Sequence, residues 1–360
     1  MSVVLWSVLG LVALLIVLEL VARIIYRFRF LVPFHSRRIA EYPYRKFIEE
    51  VDPPLHYHFK KNFRSPLVNI NRFYCRGPQP APDGQKKRMI ILNESNIFGV
   101  KLLKEEHVWS IQLQKILDEH YPGRWEVLNG GNPGYTTDQH RLFWLEQLRH
   151  INPDIVLIGM GANDTAIASI KGKDWQPDAV WPMEFIYAQE RKTSLWQHWA
   201  NGYCLYFLWR RWRSGPPQSR FAVDEETFQE QACLDNIRKN VQVLVEEATR
   251  LGAKAAGIGY APVVDFELTP EEQRKADSIQ ANWRLLLETR TRYDLRFLDF
   301  VRRQLYPGLG LPYIDTYAHF RRHPRRFEMY FDLLHWNDRG MKLAAQIMYQ
   351  EIDKLGWWSQ

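Results

Sequence analysis

Four short blocks lie along the chain in a fixed order, and together they contain the groups that ester hydrolysis needs. They are Asn-Glu-Ser at 93–95, Gly134, Gly-x-Asn-Asp at 161–164 and Asp-x-x-His at 332–335. Ser95 could be a nucleophile, His335 the base that takes its proton, and Asp332 the acid that orients the imidazole. Each block alone is more typical of local structure, because serine caps helices and glycine and asparagine form turns.

The same blocks contain candidate donors for the negative charge that develops on a carbonyl oxygen. These are the backbone N–H groups of Ser95 and Gly134 and the side-chain amide of Asn163. Gly130 and Gly131 precede Gly134, and glycine permits both a positive φ and a close backbone approach. Fixed donors aimed at a developing oxyanion are a major source of catalysis in acyl transfer. The sequence therefore predicts an oxyanion hole with three donors.

Strands and helices alternate from Arg88 onward and place each block in a loop. Short apolar runs predict strands at 89–92, 125–130, 155–160, 255–261 and within 312–320. Amphipathic spacing predicts helices over 108–120, 137–149, 225–251, 270–305 and 341–355. This order predicts a parallel sheet covered by helices on both faces. The first three blocks then follow three strands, at the sheet edge where open α/β folds bind ligands.

This ordered set resembles the SGNH hydrolases, a branch of the GDSL esterase/lipase family, from about Arg88 to Leu355. The resemblance implies a flavodoxin-like three-layer α/β/α fold for a hydrolase domain at 87–360. It also implies a catalytic set at Ser95, Gly134, Asn163 and His335, with Asp332 completing the triad. The family's first block is Gly-Asp-Ser, whereas Asn93 and Glu94 precede the serine here. Asparagine tolerates positive φ well, so we expect Asn93 to preserve the turn. Glu94 keeps the charge and adds a methylene.

The N-terminus contains an apolar segment, Val3 to Ala22, of about 20 residues, enough to cross a hydrocarbon core of about 30 Å. It has no polar stripe, no preceding Lys or Arg and no small-x-small cleavage site. We therefore predict a transmembrane anchor over 1–29 that contacts the bilayer through residues 3–22. The arginines that follow favour a cytoplasmic domain by the positive-inside rule. Similar family members often face the periplasm or the exterior, so both sides are kept as alternatives.

Two other segments each have two interpretations. Residues 30–86 are basic, aromatic and proline-containing. They are either a juxtamembrane connector and lead-in or an extension packed on the catalytic domain. Residues 174–214 are either an interfacial helix on the membrane or a helical insertion that packs its aromatics on the domain or covers the site. The second is favoured, because aromatic stripes at helical spacing usually belong to a core. The residues in question are Trp175, Trp181, Trp196, Trp199, Trp209, Trp212, Arg210, Arg211 and Arg213.

Composition is consistent with one large domain and gives no sign of a metal or cofactor. The chain has 360 residues, 46% of them hydrophobic, and a formal net charge of +7. It has neither zinc-finger spacing nor an RNA-binding aromatic signature, so nucleic acid is not predicted as a partner. Cys75, Cys204 and Cys233 give neither a disulfide framework nor a metal site.

Three functions fit these observations. The favoured one is a membrane-anchored serine esterase that hydrolyses an O-acyl or lipid ester through an acyl-Ser95 intermediate. The second is an O-acyltransferase that passes the same acyl group to a cell-surface polysaccharide. The third is a non-catalytic glycan-binding or assembly protein on the same fold, which the altered first block and the aromatic insertion motivate. The five predicted catalytic positions are all intact, which favours an enzyme. They are Ser95, Gly134, Asn163, Asp332 and His335.

Overall fold

Seven strands form two sheets in the computed structural model, which describes residues 2–30, 44–102, 104–187, 227–259, 261–263, 268–280, 295–332 and 334–359. The strands are β1 (Ile48–Glu50), β2 (Tyr57–Phe59), β3 (Lys87–Asn93), β4 (Trp125–Gly131), β5 (Ile155–Gly159), β6 (Lys254–Ile258) and β7 (Tyr313–Ile314). Strands β1 and β2 pair antiparallel, and the other five form a parallel sheet in the order β4-β3-β5-β6-β7. Counted within that sheet, this is the 2-1-3-4-5 order of flavodoxin-like folds, which confirms the predicted fold class.

The centre of the sheet is apolar because both of its faces are covered. In β3, Ile90, Ile91 and Leu92 have no exposed surface, as expected for a strand of a buried parallel sheet. Asn93 lies opposite Gly131 of β4 on one side and Gly159 of β5 on the other. These three strands therefore end at one level. The chain leaves β3 and β5 in opposite directions across the sheet, which makes this edge a topological switch point.

The described residues also form helices. They are α1 (Ser2–Phe30), α2 (Tyr44–Phe47), α3 (Ser95–Phe98), α4 (Trp109–His120), α5 (Thr137–Phe143), α6 (Ala162–Lys171), α7 (Met183–Tyr187), α8 (Glu230–Arg250), α9 (Pro270–Gln280), α10 (Thr316–Arg322) and α11 (Asp338–Lys354). Helix α4 contacts α11, whereas α5 and α6 contact α8, which gives three layers. The helix predicted over 137–149 is α-helical only to Phe143 and continues as a π-helical turn over Trp144–Leu148. In the region predicted as 270–305, residues 281–294 lie outside the described residues.

Helix α1 contains the apolar N-terminal segment. Its stretch Val4–Ile25 is 22 residues long, and most of its large apolar side chains are exposed. The one acidic residue within it, Glu19, pairs with Arg23 at 2.7 Å. This helix is long and apolar enough to be either a single membrane span or a signal sequence.

Residues 44–86 pack against the domain that carries the sheet. The ring of Phe47 stacks on that of Phe98 with centroids 6.2 Å apart. The buried guanidinium of Arg76 donates to the carbonyl oxygens of Phe98 at 2.8 Å and Gly99 at 2.9 Å, and it pairs with Glu105 at 2.7 Å. Residues 44–86 therefore contact the domain, and residues 31–43 lie outside the described residues. The segment holds the end of α3, the helix that follows the first block.

Candidate active site

Ser95, His335 and Asp332 lie in one line of hydrogen bonds. Ser95 is the first residue of α3, separated from the end of β3 by Glu94, and its Oγ lies 2.8 Å from His335 Nε2. The other ring nitrogen, His335 Nδ1, lies 2.9 Å from Oδ1 and 2.8 Å from Oδ2 of Asp332. The loop that carries both residues runs into α11, whose first turn is capped by the side chain of Asn337. The structure therefore brings together residues that are 240 positions apart.

Asp332 is held as a carboxylate by several donors. Its Oδ1 accepts hydrogen bonds from the backbone N–H groups of Leu334 and His335, each at 2.9 Å. Its Oδ2 accepts one from the ammonium of Lys101. Burial alone would raise the pKa of Asp332, but His335 and Lys101 outweigh it and hold that pKa well below its ordinary value.

The expected positive φ at Asn93 is wrong. Asn93 is the last residue of β3, paired on both sides, and it is not among the described residues with positive φ. A residue in register with two neighbouring strands needs an extended backbone. Its side-chain oxygen accepts the Glu94 N–H at 2.6 Å instead. The side chain of Asn93 thus accepts a hydrogen bond from the next residue, and the chain turns after Asn93 rather than at Asn93.

Glu94 joins the first block to the third. Its side chain is buried, and Oε1 accepts hydrogen bonds from the backbone N–H groups of Gly161 at 2.8 Å and Asn163 at 3.1 Å. These two hydrogen bonds give a buried oxygen the partners that it would otherwise find in water. Glutamate at this position therefore positions the loop after β5 relative to Ser95.

The candidate backbone donors lie on two different turns. Gly134 has φ +85°, and a Cβ there would lie 2.5 Å from Ile186 Cδ1, so the position requires glycine. Its N–H meets no acceptor among the described residues. The N–H of Ser95 is the first of α3, where no intrahelical carbonyl is available. Gly130 and Gly131 lie in β4 without positive φ and permit close approach instead: a Cβ on Gly131 would lie 2.5 Å from the Phe98 nitrogen.

The Asn163 amide is oriented from both ends. Its Nδ2 donates to the Tyr135 carbonyl at 3.0 Å, and its Oδ1 accepts from Trp181 Nε1 at 3.1 Å. Nδ2 has a second hydrogen, which meets no acceptor in the described part of the chain. Trp181 belongs to the aromatic insertion, and both it and Trp175 are buried. The other four tryptophans and three arginines named for this insertion lie outside the described residues.

Three contacts of this site have no counterpart in the sequence pattern. Lys101 reaches Asp332 across 231 positions. The hydroxyl of Tyr57 donates to the Pro133 carbonyl across 76 positions and so braces the turn of Gly134. The indole of Trp181 orients Asn163. Lys101, Tyr57 and Trp181 lie outside the four blocks, so only the fold places them at the site.

Comparison with known proteins identifies the family of this chain. The model of the GDSL-like lipase/acylhydrolase family matches residues 95–343, well over half of the chain. The chain belongs to the GDSL-like lipase/acylhydrolase family. One similar solved structure is a lipase/acylhydrolase from Enterococcus faecalis, at 16% identity and TM-score 0.42 over 74% of this chain and 95% of that one. Another is Axe2, an acetylxylan esterase from Geobacillus stearothermophilus, at 16% identity and TM-score 0.42 over 75% of this chain and 95% of that one. No match was found among the curated proteins.

This GDSL-family chain offers no group of three or more His, Cys, Asp or Glu side chains arranged for a metal ion within the described residues. Cys75 and Cys233 are buried free thiols, and burial raises the pKa of Cys75 to about 12. Cys204 lies outside the described residues. The groups that the site itself presents are a hydroxyl, an imidazole, a carboxylate and hydrogen-bond donors.

Proposed function

We propose that this chain is a membrane-anchored serine esterase that hydrolyses an O-acyl or lipid ester through an acyl-Ser95 intermediate. The observation that carries the proposal is the 2.8 Å contact between Ser95 Oγ and His335 Nε2, with Asp332 on the other ring nitrogen. A serine paired with an imidazole that a carboxylate orients is the standard device for activating a hydroxyl nucleophile. Membership of a lipase/acylhydrolase family supports the same chemistry.

The proposed reaction has two halves. In the first, Ser95 Oγ attacks the ester carbonyl carbon while His335 Nε2 takes its proton, and the alcohol leaves with that proton. In the second, His335 deprotonates a water that attacks acyl-Ser95, which releases the acid and restores the serine. In both halves the carbonyl oxygen becomes an oxyanion. The N–H groups of Ser95 and Gly134 and the Asn163 amide then donate to it.

Steady-state hydrolysis of a short-chain p-nitrophenyl ester by the full chain in detergent tests this proposal. Ser95→Ala should lower kcat by about 10⁴-fold or more, because the acyl-enzyme cannot form. The matched control is Ser359→Ala, an exposed serine at the C-terminus, which should retain wild-type turnover. Turnover that survives Ser95→Ala would overturn the proposal.

Product analysis in the same assay separates hydrolysis from transfer. A hydrolase releases free acid and alcohol in equal amounts, even when a polysaccharide is present. An acyltransferase releases less acid than alcohol once an acceptor hydroxyl is supplied, because the missing acyl groups are found on the acceptor. Equal release is the expected result.

The anchor is a separate part of the proposal. The exposed apolar side chains of Val4–Ile25 and the Glu19–Arg23 pair support an uncleaved span. The full-length chain should stay in membranes that are washed with alkaline carbonate, and its mass should include residues 2–30. Replacing Leu11 and Leu15 with arginine should release it, since each arginine at the centre of a span costs about 2.5–3.5 kcal/mol of insertion free energy. A shortened mature chain would identify a signal sequence instead.

A further inference from the structure

The side chain of Lys101 contacts Asp332, the carboxylate that binds His335. The Lys101 ammonium donates to Asp332 Oδ2, on the oxygen next to His335 Nδ1. Both side chains are largely buried, with 20% of the Lys101 side chain and 8% of the Asp332 side chain exposed. A contact of this burial is screened by solvent much less than a surface ion pair. The ammonium therefore acts directly on the charge that faces the imidazole.

The backbone around Lys101 is folded so that the side chain reaches this position. Gly99, which ends α3, has φ +82°, and Lys101 has φ +69°, a conformation that side-chain-bearing residues rarely adopt. A Cβ on Gly99 would lie 2.9 Å from Leu102 Cδ1, so the turn is tight. An unusual backbone conformation next to reacting groups persists only where the surrounding contacts fix it. This turn places Lys101 beside the triad.

The described charged side chains near Ser95 and His335 include Asp332, Lys101 and Glu94. Asp332 faces His335 from the same loop, and its Oδ1 is also bound by the N–H groups of Leu334 and His335. Lys101 faces Asp332 from the loop after α3. Glu94 precedes Ser95, and its side-chain Oε1 is bound by the N–H groups of Gly161 and Asn163. Asp332 therefore shares its one negative charge between the Lys101 ammonium and an imidazole that becomes a cation during the reaction.

We propose that Lys101 is a positioning residue that lowers the proton affinity of His335 by neutralising part of the charge on Asp332. The inference rests on the proposed function and deepens it. A base must be unprotonated to accept the proton of Ser95. With Lys101 in place, the His335 imidazole becomes neutral at a lower pH than it would in the same triad without the lysine. The enzyme thereby works into the acidic range, and Asp332 still orients the ring.

The pH dependence of kcat/KM tests this, measured on the full chain in detergent with p-nitrophenyl acetate. Lys101→Gln should move the midpoint of the acid limb up by about one pH unit, because the carboxylate then stabilises the imidazolium without competition. Lys101→Arg keeps the positive charge beside Asp332, so its acid limb should have the wild-type midpoint. The matched control is Lys104→Gln, an exposed lysine three residues on that pairs with Glu106, which should leave the midpoint unchanged.

Lys101→Asn provides a second neutral variant if glutamine does not fold at this position, since asparagine tolerates positive φ. An unchanged acid limb in a folded neutral variant would overturn the inference. A rise in KM with an unchanged acid limb would also overturn it, because it would identify Lys101 as a substrate contact.

The ring titration of His335, followed by NMR in the Ser95→Ala chain with and without Lys101→Gln, gives the same test without turnover. A shift of about one pH unit is again expected. If the wild-type chain hydrolyses no ester but the ring titration still shifts, the proposed function fails and this inference stands. If the chain is active and the ring titration does not move, only this inference fails.

Discussion

Two sets of groups surround Ser95: the candidate oxyanion donors, called here the donor side, and the residues that hold His335, called here the base side. The donor side consists mainly of backbone N–H groups and neutral side chains, whereas the base side contains charged side chains. On the donor side, Gly134 is fixed by a glycine turn and the Asn163 amide by Tyr135 and Trp181. On the base side, His335 faces a carboxylate that Lys101 also binds. An oxyanion hole needs donors in fixed positions, and a general base needs a particular proton affinity. We propose that the two sides meet these needs with different interactions.

This difference predicts different sensitivities. Removing one oxyanion donor typically costs about 2.7–4 kcal/mol of transition-state stabilisation. Changing the carboxylate that orients a catalytic imidazole to an amide lowers kcat by about 10⁴-fold. Replacing Asp332 on the base side should therefore reduce turnover more than replacing any single side chain on the donor side. The substitutions below test that order, from the largest expected effect to the smallest.

Asp332→Asn should have the largest effect, a loss of about 10⁴-fold in kcat. An amide cannot stabilise the imidazolium and favours the wrong tautomer of His335. Asp338→Asn, an exposed residue in the first turn of α11, is the matched control and should behave as wild type. A loss of less than tenfold in Asp332→Asn would show that the charged side is not the more sensitive one.

Asn163→Ala should follow, with kcat lower by about 10²–10³-fold, the usual effect of removing one oxyanion donor. KM should change little, because the bond strengthens only as the charge develops. Asn236→Ala, which removes a hydrogen bond to Pro177 away from the four blocks, serves as the control. A loss in Asn163→Ala as large as that in Asp332→Asn would break the proposed contrast between the two sides.

Trp181→Phe should reduce kcat by about tenfold, since it removes one hydrogen bond from Asn163 Oδ1 and keeps an aromatic ring in place. Trp175→Phe changes a buried tryptophan of the same insertion and should leave kcat near the wild-type value. Equal effects of the two substitutions would mean that the insertion acts through packing alone.

Asp164 should affect stability rather than the chemistry. It is buried and accepts hydrogen bonds from the Thr137 N–H and hydroxyl, and burial raises its pKa to about 6. Because the fold favours the protonated form, the stability that this group contributes is lost as pH rises from about 4 to 6. Relative to Asp164→Asn, the wild type should lose about 2–3 kcal/mol of unfolding free energy over that range. A difference between the two proteins that does not change with pH would contradict this.

The sequence was sufficient to predict the fold and the positions of the four blocks, because both follow from local patterns. The apolar run at 89–92 lies in β3, and parallel strands bring their carboxyl ends to one edge. The backbone of Asn93 was predicted wrongly, because its pairing with Gly131 and Gly159 depends on two other strands. The contact of Lys101 with Asp332 was not predictable either. It depends on a turn at positive φ and on a loop 231 positions away, neither of which leaves a pattern in the sequence.

The activation of Ser95 by His335 is the central claim, and it can be measured directly. The full chain in detergent is treated with a fluorophosphonate probe, and the modified peptide is identified by mass spectrometry. The expected result is one adduct on Ser95 that forms rapidly in the wild type and Ser359→Ala and is lost in His335→Ala. No adduct on Ser95 in the folded wild type, or equal labelling without His335, would contradict the claim and favour a non-catalytic protein on this fold.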